Sequence, residues 1–177
     1  MIGTGAHVDT VVFLDNTTSD CTIKLPKVDM TNIKHLVVNQ GTGNRIHISG
    51  PDTLLIDTGA DSYVWCEETE FTPTASAVSG LLGRASTTMK YRRSGKRIDF
   101  TANITVTSVS TGAGGLKVTL PYIANGQFIC IGANQSTGLG LQGRISNAAF
   151  VVIFTMANSF PVADGEIVTL CGSYEAL

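Results

Sequence analysis

The chain has 177 residues and a mass of 18.6 kDa, room for one large domain or two small ones with a real core. Apolar residues make up 43% and charged ones 15%, the reverse of the balance that keeps a chain disordered. Thr, Gly, Ser and Asn fill 63 positions and Val plus Ile another 29, against 15 for Glu, Lys and Gln, which excludes an all-α protein. The longest apolar run, Ala148 to Phe154, is seven residues, too short for a transmembrane helix. The start, Met1-Ile2-Gly3-Thr4-Gly5, lacks a basic and then apolar leader, so no signal peptide is expected.

Net charge is −2, unevenly spread. Residues 1–70 carry ten acids and four bases, and residues 71–177 four acids and eight bases, or −6 and +4. The sign changes near Glu67-Glu68-Thr69-Glu70-Phe71-Thr72-Pro73, so two domains are expected, 1–70 and 71–177. A balance of +4 is too mild to mark a nucleic-acid binder.

The first half reads as short strands at Thr10 to Leu14, Cys21 to Leu25, His35 to Asn39, Arg45 to Ser49, Thr53 to Ile56 and Ser62 to Cys66. Turn clusters divide them: Asp15-Asn16, Pro26, Gly41-Thr42-Gly43-Asn44, Gly50-Pro51-Asp52 and Gly59. His47 alternates with Ile46 and Ile48, and should face solvent or a neighbouring subunit. Tyr63 and Trp65 share one strand face and are expected to pack rather than to form a sugar platform.

The second half has longer strands. Thr87 to Arg92 and Arg97 to Val109 flank Arg93-Ser94-Gly95-Lys96 and should form a hairpin. Polar and apolar residues alternate over eleven consecutive positions from Arg97. Further strands are expected at Leu116 to Leu120, Gln127 to Gly132, Gly140 to Arg144, Ala148 to Met156 and Glu166 to Ser173. At most one helical turn is expected, at Asp29 to Ile33 or Ser79 to Leu82.

The four cysteines, Cys21, Cys66, Cys130 and Cys171, form no C-x-x-C pair, so neither a zinc site nor a disulfide scaffold is expected. Cys130 and Cys171 read as buried thiols. No Ser/His/Asp triad and no phosphate loop can be assembled, and no cofactor or metal is expected.

Leu54-Leu55-Ile56-Asp57-Thr58-Gly59-Ala60-Asp61 resembles the active-site signature of retroviral-type aspartic proteases, in which each subunit of a homodimer gives one carboxylate to a shared-proton pair. That resemblance would make Asp57 catalytic. The nearest later match to the family pattern, Leu81-Leu82-Gly83-Arg84, follows Asp57 too closely to leave room for a glycine-rich flap. The other reading is a strand leaving into an Asp/Gly turn.

Arg92-Arg93-Ser94-Gly95-Lys96-Arg97, with Lys90, is a basic cluster that could hold an anionic glycan or phosphate, or be a solvated hairpin tip. The loops of the second half carry aromatic and amide side chains, the types that stack on sugars and bond their hydroxyls. Tyr122, Asn125, Gln127, Asn134, Gln135, Asn158 and Phe160 are the glycan-binding candidates, and no catalytic residue is nominated.

Two segments resemble the carboxy-terminal parts of bacteriophage tail fibres and tailspikes. Cys21 to Pro26, Leu36 to Gly43, Ile46 to Ile48, Asp52 to Asp57 and Ser62 to Trp65 are similar to the small β-collar modules of fibre shafts. Phe71 to Thr74, Tyr91 to Phe100, Ile104 to Ser108, Leu120-Pro121, Gly165 to Val168 and Gly172 to Glu175 are similar to terminal β-sandwich heads. Neither the long parallel β-helix of depolymerising tailspikes nor an obvious amino-terminal virion anchor is expected from these residues.

The resemblance implies an all-β chain, a β-collar followed by an antiparallel, jelly-roll-like β-sandwich head. It implies a homotrimer in the virion tail, assembled in the host cytoplasm beside other tail proteins. It further implies a non-enzymatic tip that binds a bacterial surface polysaccharide or lipopolysaccharide and no nucleic acid. The alternatives are the aspartic protease and a purely structural trimerising or capsid-decorating module.

Overall fold

The computed structural model describes residues 8–26, 33–49, 55–59 and 61–177. Those residues form fourteen strands and no helix, an all-β fold. The strands are β1 (Val8–Leu14), β2 (Thr22–Leu25), β3 (Ile33–Asn39), β4 (Arg45–Ile48), β5 (Leu55–Asp57), β6 (Tyr63–Phe71) and β7 (Ala75–Ser79). There follow β8 (Arg84–Ser94), β9 (Arg97–Ser108), β10 (Ala113–Thr119), β11 (Gln127–Asn134), β12 (Gly140–Ser146), β13 (Phe150–Thr155) and β14 (Ile167–Glu175). Two compact units emerge, residues 1–69 with 92–96, and residues 70–91 with 97–177.

In the first unit consecutive strands do not pair with each other. β1, β3 and β5 lie side by side and parallel, and so do β2, β4 and β6. Each rung is therefore strand, corner, strand, and the next rung stacks on it. The corners repeat their backbone bonds: Gln40 N–H to Leu14 O at 2.8 Å, then Thr58 N–H to Asn39 O at 2.9 Å. Likewise Arg45 N–H meets Cys21 O at 2.7 Å and Tyr63 N–H meets Asn44 O at 2.8 Å. Residues that alternate along β4 and β6, with Leu14 and the adjacent pair Leu36 and Val37, form a small core of Leu14, Leu36, Val37, Ile46, Ile48, Val64 and Cys66. His47 is half-buried, its ring edge-on to Trp65 of the next rung at 4.1 Å.

In the second unit the strand order is β8-β9-β14-β11-β12-β13-β10-β7, with β11–β12–β13 a meander. One face of nearly every strand feeds a single core, including Met89, Phe100, Ile104, Leu116, Leu141, Ile153 and Leu170. A sheet that buries one face against itself must curl, so its opposing halves pack as a sandwich does. Along β9 the alternation is complete, with Ile98, Phe100, Ala102, Ile104 and Val106 all buried. Gly95 opens the two-residue hairpin turn between β8 and β9 with φ +63°, the glycine position of a type II′ turn.

β7 was absent from the expected strands, because Ala75-Ser76-Ala77-Val78-Ser79 holds one β-branched residue. Ser79 to Leu82 is not a helical turn: Ser79 ends β7 and Gly80 bends the chain at φ +73°. The other candidate turn, Asp29 to Ile33, lies outside the described residues except for Ile33, which starts β3.

Cys171 is exposed rather than buried, because Val168 and Leu170 take the inward positions of β14 and leave Cys171 facing out. Cys130 is buried, and that burial, with Cys171 close by, pushes its thiol up to about 11. Folded protein at pH 8 should therefore react with a thiol reagent at Cys171 and leave Cys130 untouched until denaturant is added; equal reactivity of the two would contradict the fold. Because the folded pKa is raised, this thiol supports stability below the unfolded value of 9.0, and that support fades as pH climbs through about 11.

Candidate functional site

The Asp57-Thr58-Gly59 segment sits at a rung corner of the first unit, and its three residue types match what that corner requires. Asn39 is fully buried at the end of β3. Its Nδ2 donates to Asp57 Oδ1 at 2.8 Å and to Ser62 Oγ at 2.7 Å. Its Oδ1 accepts from Gly41 N at 3.2 Å and from Asn44 Nδ2 at 2.9 Å. Asp57 Oδ1 also accepts the Gly59 N–H at 3.3 Å, an Asx turn. A Cβ on Gly59 would overlap the Gly41 carbonyl of the rung below. Corner packing thus accounts for the Asp, for the Gly and, through the Thr58 hydroxyl donating to Asn39 O at 3.3 Å, for the residue between them.

The basic cluster is partly consumed by local bonds. Arg93 Nε donates to Gly95 O at 3.0 Å. Arg97 pairs with Asp99 through Nε at 2.9 Å and Nη2 at 2.8 Å. Arg92 and Lys96 are exposed.

The seven glycan candidates do not form one site. β11 begins beside the loop holding Tyr122, Asn125 and Gln127, and ends at Asn134 and Gln135. Eight residues of strand put roughly 26 Å between the two groups. Asn158 and Phe160 fall at the Asn134 end, since Asn134 Nδ2 reaches Pro161 O at 3.2 Å in the same loop.

Several of the candidates are occupied in holding the fold. Tyr122 is half-buried against the core, its ring 6.1 Å from that of Tyr91. The Tyr174 hydroxyl bonds both its backbone groups, donating to Tyr122 O at 3.1 Å and accepting from its N–H at 3.2 Å. Phe160 also packs on the core. Asn134 is 2% exposed, and its Nδ2 also donates to Glu166 Oε2 at 2.7 Å. Its Oδ1 accepts the N–H groups of Ser136 at 3.0 Å and Thr137 at 3.2 Å. Asn158, at φ +59°, accepts Arg144 Nη2 at 2.9 Å and Gln142 Nε2 at 3.1 Å on one Oδ1. Asn125, Gln127 and Gln135 are exposed.

Asn134→Ala should accordingly lower stability by about 2–3 kcal/mol, since it removes a buried amide and its four hydrogen bonds at once. Thermal unfolding would check this, and an unchanged Tm would show that the turn bonds carry no weight. An amide before a turn is the same sequence signal whether it serves a ligand or its own backbone.

Sequence reasoning missed a concave surface of the second unit. Its outer face across β8 and β9 forms a groove with Glu70, Phe71, Thr88, Lys90, Thr101 and Asn103 among its walls. The signal was present in the sequence as the polar half of the β9 alternation.

No family model matches the chain, and no curated protein matches it. Among solved structures, the crystal structure of the Dettilon tailspike protein (gp208) is similar, with a TM-score of 0.53 at 14% sequence identity. The likeness covers 94% of this chain and 43% of the tailspike chain, so this chain spans less than half the length of that protein. At that identity the likeness is one of fold alone, an all-β fold shared with that tailspike.

Proposed function

We propose that this chain is the receptor-binding part of a bacteriophage tail protein, holding a glycan of the host surface without cleaving it. The observation that carries the reading is the fold likeness to a tailspike along 94% of the chain. A non-catalytic role agrees with Asp57, whose carboxylate is engaged in a rung corner. Its place is the virion tail, beside other tail proteins.

The working unit is a homotrimer joined largely through residues 1–70. Phe13, Val38 and Ile56 stand opposite one another on β1, β3 and β5. Phe13 is 57% exposed, Ile56 37% and the adjacent Val11 45%, an apolar row facing out of a unit with a small core. Copies of the chain would bury that row and gain about 25 cal/mol per Å² of apolar surface covered. Three sites on one axis would also raise the avidity of a weak sugar contact by about 10² or more.

Fluorescent protein applied to a panel of bacterial strains, with and without periodate oxidation of their glycans, tests the function. Periodate-sensitive binding is expected, and no binding to any strain would overturn the reading. Sedimentation equilibrium should give three times 18.6 kDa at micromolar concentration, and Phe13→Ser should shift it toward the monomer. A monomeric parent would overturn the trimer.

A further inference from the structure

We propose that the groove on the outer face of β8 and β9 is a subsite for one neutral pyranose ring of a surface polysaccharide. The proposal rests on the receptor-binding reading above and gives that reading a location. Every residue of the groove belongs to the second unit. Its volume is about 210 Å³, below the 300–1,000 Å³ of drug-sized pockets and suited to a single ring rather than an oligosaccharide.

The walls are held by rigid backbone. Counting outward from the two-residue turn at Gly95-Lys96 sets Lys90 across from Thr101 and Thr88 across from Asn103. β9 is locked on its other side by β14, where Thr101 faces Cys171 and Asn103 faces Thr169. The Thr169 hydroxyl donates to Asn103 Oδ1 at 2.8 Å, which fixes the amide so that Nδ2 is left as the donor. Side chains fixed in this way lose little freedom when a ligand arrives.

The polar groups here contrast with those of the loops. Asn134 and Asn158 spend their amides on the fold, whereas Glu70, Thr88 and Thr101 make no side-chain hydrogen bond among the described residues. Together they present a carboxylate acceptor, two hydroxyls that both donate and accept, and an amide donor. A ring bearing several hydroxyls satisfies that set, because each hydroxyl also donates and accepts. Phe71 is half-buried against the core, and the part of it that lines the groove adds an apolar surface for the C–H face of a sugar.

Charge selects the class of sugar. The groove carries one acid, Glu70, and one base, Lys90, so it has no net attraction for an acidic sugar. Glu70 would repel a ligand carboxylate while bonding a pair of neutral hydroxyls. Binding should therefore be nearly insensitive to salt, unlike capture of an anionic glycan by the Arg92–Arg97 turn.

The test uses the whole chain and two readouts. In saturation-transfer NMR with millimolar glucose, galactose, mannose and N-acetylglucosamine, at least one should show transfer. Thr101→Val and Asn103→Leu should each abolish that transfer at unchanged Tm, with Asn125→Ala and Gln135→Ala as loop controls. The same variants should bind the parent's target cells at least tenfold more weakly, equally at 50 and 500 mM salt. Transfer from no sugar, or transfer unaltered in both groove variants, would overturn the subsite. If cells bind the parent and the groove variants alike, the subsite falls and the receptor-binding reading stands. If sugars occupy the groove but no strain binds, the reading falls and the subsite stands.

Discussion

Replacing Asn39 with alanine should destabilise the first unit by about 3–4 kcal/mol. The side chain is fully buried and makes four hydrogen bonds, two as donor and two as acceptor. Truncation leaves the Gly41 N–H and one Asn44 donor bond without their partner, and removes a donor from Asp57 and Ser62. The unit has seven buried apolar residues among those described, so a loss of this size is a large share of its stability. Asp57→Asn is the informative control, because asparagine keeps the Oδ1 that accepts from Asn39 and Gly59. It should cost less than about 1 kcal/mol, while Asp57→Ala should fall between the two. Urea titration of the three variants checks the order, and Asn39→Ala unfolding with the parent would contradict it. Asp57-dependent cleavage of a peptide library, blocked by a transition-state mimic, would instead give that carboxylate a catalytic duty.

Phe100→Ala should remove about 3–5 kcal/mol from the second unit. Phe100 is 4% exposed on the buried face of β9, and its ring meets that of Tyr174 edge-on at 6.0 Å. β9 pairs with β14 along nine residue positions, so the backbone around the deletion is held and cannot collapse into the space. A large cost follows from that rigidity, since relaxation is what makes such deletions mild. Phe100→Leu should recover more than half of the loss. Thermal and urea unfolding would report both, and a Phe100→Ala protein as stable as the parent would rule out the single core.

The strands were legible because residues that pair and bury on one side must alternate. Arg97 to Ser108 announced itself by period two, and the structure buries the apolar half of it. Which strands pair was not legible in the first unit. Spacings of about ten residues with turn formers between them suit hairpins and rung corners equally well. The difference lies in contacts such as Val37 with Leu55, eighteen positions apart (55 − 37), which no local pattern states. Cys171 was misplaced for a related reason: an apolar neighbourhood in sequence does not fix which face of a strand a residue takes.

The candidate site was less legible. Tyr122 and Asn134 both looked like loop residues with ligand chemistry, but they lie at opposite ends of β11 and both serve the fold. Turn-forming amides and sugar-binding amides are the same side chain, and only burial separates them. The groove residues Thr88, Thr101 and Asn103 come from two strands, and their proximity depends on the hairpin register rather than on any run of sequence.

The stacked corners of the first unit bear on how such a chain can change in length. The last two rungs are offset by eighteen residues in both sheets, Val37 to Leu55 (55 − 37) and Arg45 to Tyr63 (63 − 45). The backbone bonds of the corners repeat from one rung to the next. A duplicated block of that length would find every backbone partner waiting and would raise the stack by about 4.8 Å. An insertion of nine residues would put a corner where a strand belongs and strand the buried amide of Asn39. Evolution of reach in this architecture is therefore quantised: the molecule can grow by whole rungs and by little else.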